Sequence, residues 1–149
     1  MTGKLRVTLQ RDTDGTGQLF VEASSDGFAG SSSAWFDVQG LAEFADELNV
    51  YPLPKDQPPL LEGGYWKDGR LDQCHVGLLF RQVDLRGSVG IRVRLAEPID
   101  EGDLAESRAQ ASFEIRTDYA ALSQFAKDLH RLADGEGKEA TLTTSQSAY

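Results

Sequence analysis

At 149 residues, 40% hydrophobic and 26% charged, the chain is long enough to bury the core of one soluble globular domain. A net charge of −9 works against nucleic acid and anionic membranes as partners and would draw in a basic one. The single cysteine, Cys74, excludes an intramolecular disulfide framework and any all-cysteine metal site.

The opening residues, MTGKLRVTLQRDTDG, contain no apolar run of the kind a signal peptide uses. No segment approaches the roughly 18–20 apolar residues that cross a bilayer, so cytoplasmic residence is the expectation. Residues 4–10 alternate, with Leu5, Val7 and Leu9 on one face and Lys4, Arg6, Thr8 and Gln10 on the other, which predicts a half-buried strand. An Asp- and Gly-rich turn over 11–17 leads to a second strand through Leu19, Val21 and Ala23. Residues 24–33, with GFAGSSS at their centre, give little pattern, and a weak third strand is expected over 29–36. Asp37 then caps a helix running to about Asn49, although Gly40 in its first turn costs about 1 kcal/mol relative to alanine. Pro52, Pro54, Pro58 and Pro59 oppose regular structure, so residues 51–64 read as an irregular connector that packs down as a cover. Further strands follow at Val76–Leu78–Phe80, at Val89 to Leu95, and at Ala109 to Ile115. Thr117 is expected to cap a second helix and Gly135 to end it. Residues 140–142 suggest a short edge strand, with residues 143–149 frayed beyond it.

The two helical stretches resemble each other. Asp37, Leu41, Phe44, Ala45 and Leu48 recur as Asp118, Leu122, Phe125, Ala126 and Leu129, eighty-one residues later. Leu, Phe, Ala and Leu at i, i+3, i+4 and i+7 form one helical face in each. The strands before them correspond at offsets of 71 and 72, and the extra residues fit within 97–106, EPIDEGDLAE. This predicts a single domain, 1–149, made of a pseudo-repeat over 1–50, a connector over 51–72 and a second pseudo-repeat over 73–142. The expected fold is α+β, an antiparallel sheet of about six strands with two helices packed on one face.

Parity along the strands then assigns Lys4, Arg6, Arg81, Arg92, Arg94, Arg108 and Arg116 to the opposite face, broken by Glu22 and Glu114. Acids collect on helices and connectors: Glu43, Asp46, Glu47, Asp56, Glu62, Asp100, Glu101 and Asp103. Two candidate contact surfaces follow. One is the acidic side around Asp100, Glu101 and Asp103, suited to a basic protein. The other is an arginine face with Arg81, Arg92 and Arg94, suited to an acidic surface or to a homodimer. Solvated strand arginines covering apolar neighbours are the plainer account of the second. Tyr65 and Trp66 are either contact aromatics or buried cover residues.

Catalytic and metal signatures are weak. Asp12, Asp14 and Thr16 open like a calcium loop, but Ala23 stands where a bidentate Glu is required, and a hairpin turn is the plainer account. Asp72, Cys74 and His75 mix carboxylate, thiol and imidazole, yet neighbours in a strand point to opposite faces. His130, the other histidine, sits near the rim of the second helix's apolar stripe. No phosphate loop or nucleophile elbow is present. No cofactor or metal is expected, and the chain leans away from an enzyme. The alternative is a small-molecule or enzymatic pocket near Trp35, Tyr65, Trp66 and His75.

Two runs of strands each leading to an L-x-x-F-A-x-x-L helix, Trp35 before the first, and an acidic chain of this length together resemble one family. It is the small bacterial immunity proteins encoded beside WapI-type toxins. The resemblance implies a cofactor-free, non-enzymatic protein that binds and blocks a cognate toxin, and it brings no catalytic residue with it.

Overall fold

Strand patterning of period two and helix patterning of period 3.6 both surface in the computed structural model, which describes residues 3–144. The strands are β1 (Gly3–Arg11), β2 (Thr16–Ser25), β3 (Phe28–Asp37), β4 (Leu60–Lys67), β5 (Arg70–Gln82), β6 (Ser88–Ala96), β7 (Gln110–Asp118) and β8 (Ala140–Thr143). The helices are α1 (Val38–Leu48) and α2 (Tyr119–Ala133), and a single 3-10 turn spans Ala105–Ser107. Residues 145–149, part of the tail expected to fray, lie outside the described residues; Thr143 itself closes β8.

The class is α+β as expected, but the sheet is not one of about six strands. Eight strands form two antiparallel four-stranded sheets, ordered β3-β2-β1-β8 and β4-β5-β6-β7. Nor do both helices simply cover one face of one sheet. They pack against each other, and α2 reaches β1 and β8 of one sheet and β6 and β7 of the other. Strand β3 stays paired with β2 along its whole length, and it also runs across all four strands of the second sheet, so the two sheets pack face to face there. Small side chains allow that crossing: a Cβ on Gly30 would lie 2.8 Å from the Cβ of Ala111. The GFAGSSS stretch is thus a strand whose bareness serves sheet-on-sheet approach.

The halves also share strands. Each contains three strands and then a helix, but each helix hands the chain on to a fourth strand. After α1 comes β4, which pairs with β5 (Leu61 opposite Leu78); after α2 comes β8, which returns to β1 (Leu142 opposite Leu5). The expected connector over 51–72 therefore holds β4 and the start of β5, and only the proline-rich part remains irregular. Asp68-Gly69 makes the turn between β4 and β5, and Asp26-Gly27 the turn between β2 and β3. All four residues have positive φ, the geometry of a two-residue hairpin turn that matches strand twist.

The core is one cluster drawn from both sheets and both helices. At its centre Phe80 of β5 meets Phe44 of α1 at 5.8 Å between ring centroids and Phe125 of α2 at 6.1 Å. The connector contributes too, with Leu53 buried and its amide donating to the Tyr119 hydroxyl at 3.1 Å. Asp37 caps α1 through Gly40 N at 3.2 Å. The cap of α2 is Asp118, through Ala121 N at 2.8 Å, and not Thr117. Strand β7 runs on to Asp118, opposite Ser88, which turns Thr117 inward. There it is buried and its hydroxyl has no partner among the described residues. Beyond α2, Gly135 and Glu136 donate to the carbonyls of Leu132 and Arg131 at 3.1 and 2.8 Å, the paired bonds of a helix stop.

Candidate functional site

The segment between β6 and β7 is the most acidic stretch of the chain and would, as a free loop, present its charges at random. It does not hang free. At its base Glu97 N donates to Ala109 O at 3.0 Å, and the Glu97 carboxylate accepts from Ala109 N at 2.8 Å. From the first sheet, the Ser32 hydroxyl donates to the Ala96 carbonyl at 2.7 Å. From β5, the Gln73 amide grips Ile99 both ways: its Nε2 donates to Ile99 O at 3.2 Å and its Oε1 accepts from Ile99 N at 3.0 Å. Within the loop, Asp103 N donates to Asp100 O at 3.1 Å, and Asp100 N to the Asp103 carboxylate at 3.2 Å.

On this braced frame Asp100, Glu101, Asp103 and Glu106 are exposed. Among the described residues none of them forms an ion pair. Leu104 stands 64% exposed in their midst. Charge fixed in this way around one apolar side chain is already ordered before anything meets it.

Beneath the loop lies a register break. Gly63 pairs with Val76 and Gly64 with Cys74, so His75 is an extra residue, a β-bulge. The strict alternation expected at Cys74 and His75 fails here. A Cβ on the outward-facing Gly77 would lie 3.3 Å from the Cys74 Sγ and 3.5 Å from the Arg94 Cβ, so Cys74 looks outward. His75 meets the exposed Tyr65 ring at 4.5 Å between centroids and places Nε2 3.0 Å from Gln73 Oε1. It is itself only 3% exposed. Burial pushes the His75 imidazole below its ordinary range, and the nearby Arg108 guanidinium pushes it the same way. Burial pushes the Cys74 thiol up against the opposing pull of Arg94. Both directions work against a thiolate–imidazolium pair at Cys74 and His75.

The arginine face divides between the sheets. On the first, Arg6 is paired with Glu139 and Glu22. On the second, Arg81 and Arg116 both bind Glu114, at 2.9 and 2.7 Å. Burial acts to raise the Glu114 carboxyl, but the two arginines outweigh it and hold it below the ordinary carboxylate range. Arg92 and Arg94 are exposed and carry no ion pair among the described residues.

Tyr65 and Trp66, at 49% and 57% exposure, are surface residues and not buried cover. Tyr65 and His75 meet, whereas Trp35 faces outward on the first sheet opposite Gln18. Depressions of about 440 and 370 Å³ lie on that first sheet, lined by Lys4, Arg6, Glu22 and Ser31 and by Phe20, Ser33 and Pro98. Neither is lined by Trp35, Tyr65, Trp66 or His75. At the Asp- and Gly-rich turn, the Asp14 carboxylate takes up Thr16 N at 3.1 Å and Thr16 Oγ1 at 2.6 Å. Those bonds occupy the oxygen within the hairpin. Sequence reasoning passed over Gln73, Ser32 and Glu97, whose contacts are long-range; only the Gly63-Gly64 pair, a common mark of a bulge, pointed toward them. Comparison with protein-family models, curated proteins and solved structures yields no match for this chain.

Proposed function

We propose that this chain is a non-enzymatic protein-binding domain of the immunity type, which docks a basic protein on its acidic loop. The observation behind this reading is the loop's construction. Four exposed carboxylates lack counter-ions among the described residues and stand on a backbone held by Gln73 and Glu97. Charge arranged in this way steers a basic partner and speeds its association. The overall charge of −9 favours a basic protein over nucleic acid, and the setting we infer is the bacterial cytoplasm, with no cofactor. The other two expectations have less behind them. The four residues of the supposed pocket are spread over both sheets, and Arg81 and Arg116 of the arginine face are already neutralised by Glu114.

The test is capture from the source organism with tagged protein at low and high salt, followed by association kinetics with the captured partner. The expected partner is basic and is lost at high salt, because screening at about 0.15 M already confines exposed charges to about 8 Å. Reversing Asp100, Glu101 and Asp103 to lysine should slow association by on the order of tenfold or more. An on-rate equal to that of the unaltered protein would sink this reading.

A further inference from the structure

We propose that the outer face of the second sheet, around Arg92 and Arg94, is a docking site for the acidic loop of a second copy of this chain. The inference goes beyond the docking of a basic protein and gives the loop's charge a second use.

The pairing register lays that face out in rows. Arg92 stands between Glu114 of β7 and Leu79 of β5, and Leu79 stands opposite Leu60 of β4. Arg94, two residues along β6, stands between Ser112 and Gly77. Two exposed arginines, about 7 Å apart along the strand, therefore border a small apolar flank. In that flank Leu79 is half-buried and Leu60 is 48% exposed. Glu114 does not neutralise Arg92, because Arg81 and Arg116 hold its carboxylate. Glu62 lies on the same face opposite Gly77, yet among the described residues it pairs with neither arginine. Like charges at that spacing repel, and an incoming carboxylate relieves them.

The acidic loop has the matching form. Asp100 and Asp103 end a turn, tied by Asp103 N to Asp100 O at 3.1 Å and by Asp100 N to the Asp103 carboxylate at 3.2 Å. Such a turn holds its end Cα atoms within about 7 Å. Glu101 stands at its tip, and the exposed Leu104 follows it. Loop and face thus carry opposite charges at the same spacing, and each sets apolar side chains beside its charges. Within one copy the match goes unmade. Gln73 and Glu97 hold the loop at the end of the sheet, and none of its acids forms an ion pair among the described residues. A second copy supplies the missing half, and two copies that exchange loops close as a dimer. The net charge of −9 opposes self-contact at long range. At about 0.15 M salt, however, screening acts over about 8 Å, so the charges in the contact decide. A loop engaged in this way is closed to a basic partner, a consequence that rests on the docking reading.

The experiment is sedimentation velocity of the free protein in about 0.15 M salt. Concentrations run to about 1 mM chain, where a dimer of millimolar Kd is half-formed. The expected result is concentration-dependent association. Arg92→Glu with Arg94→Glu, and separately Asp100→Lys with Glu101→Lys, should each weaken it on the order of tenfold or more. Asp103 is left in place because its carboxylate holds the turn. The loop variant carries a net charge of −9 + 4 = −5, so relief of overall repulsion alone would strengthen association, the opposite sign. An equal mixture of the two variants matches basic loop to acidic face and acidic loop to basic face. It should restore the complex, which also shows that both variants fold. Should the reversed face fold poorly, Arg92→Gln with Arg94→Gln is the milder change and should weaken association several-fold. A chain that stays monomeric throughout, a loop variant that associates as well as the unaltered protein, or folded variants that form no mixed complex would overturn the proposal. No basic partner enters this measurement, so its failure leaves the docking reading standing.

Discussion

Replacing Gln73 with leucine asks how much of the acidic loop's order rests on one side chain. Leucine nearly matches glutamine in size but can neither donate to Ile99 O nor accept from Ile99 N and His75 Nε2. Three contacts at 3.0–3.2 Å are lost. At a net value near 1 kcal/mol each, less what water recovers for Ile99 once the loop lifts, the local cost is about 2 kcal/mol. That corresponds to about a 30-fold rise in the opening constant of the loop. The effect should be local, because the loop adds no buried apolar side chain to the core, and such segments open below the global transition. Hydrogen exchange is therefore the assay: Ile99 should exchange about 30-fold faster, while β6 and β7 amides that exchange by local fluctuation hold their rates. Urea denaturation should show a loss of at most the same ~2 kcal/mol. Gln73→Glu, which can still accept from Ile99 N but sets a carboxylate against Ile99 O, should fall between. Unchanged exchange at Ile99 in the leucine variant would show that the loop is held by something other than Gln73.

Two further expectations concern stability. Thr117→Val should be neutral or stabilising in urea denaturation, since the buried hydroxyl it removes has no partner among the described residues, whereas Asp118→Ala should cost about 1 kcal/mol as a lost helix cap; equal losses at the two positions would refute the cap assignment. Glu114→Gln weakens the bonds to Arg81 and Arg116 and should cost about 1 kcal/mol near neutrality, discounted because Arg116 is half exposed. Since the Glu114 carboxyl is held below its ordinary value of 4.5, its contribution is complete above that value and lost as pH falls through the folded-state value. Denaturation midpoints of the two proteins should converge in acid, and a difference that persists there would argue against the pairing.

Much of the fold was legible, and the misses have physical causes. The alternation of Leu5 and Val7, and the i, i+3, i+4, i+7 stripes of Leu41–Phe44–Ala45–Leu48 and Leu122–Phe125–Ala126–Leu129, lead directly to buried positions, with Leu9 partly buried at the core's edge. Asp26-Gly27 and Asp68-Gly69 were local hairpin signals as well; reading them would have recovered β3 in full and raised β4 out of the connector. Thr117 was mistaken for a cap because two adjacent residues could serve, and only the pairing of β7 with Ser88 as far as Asp118 decides between them. The site was legible as composition, in the five acids of residues 97–106, but not as structure. Nothing local to Gln73 says that its amide will meet Ile99.

What the sequence determined by itself is therefore what depends on neighbours along the chain: element type, the face each side chain takes, the turns, and the concentration of acid in one loop. Tertiary structure alone decided which strands share a sheet, that β4 and β8 complete sheets begun elsewhere, and that a bulge turns Cys74 and His75 out of strict alternation. It also decided which arginines are neutralised. The reason lies in the bonds themselves. Strand pairing uses backbone groups common to every residue, so partner choice is settled only when side chains far apart in sequence compete for one core.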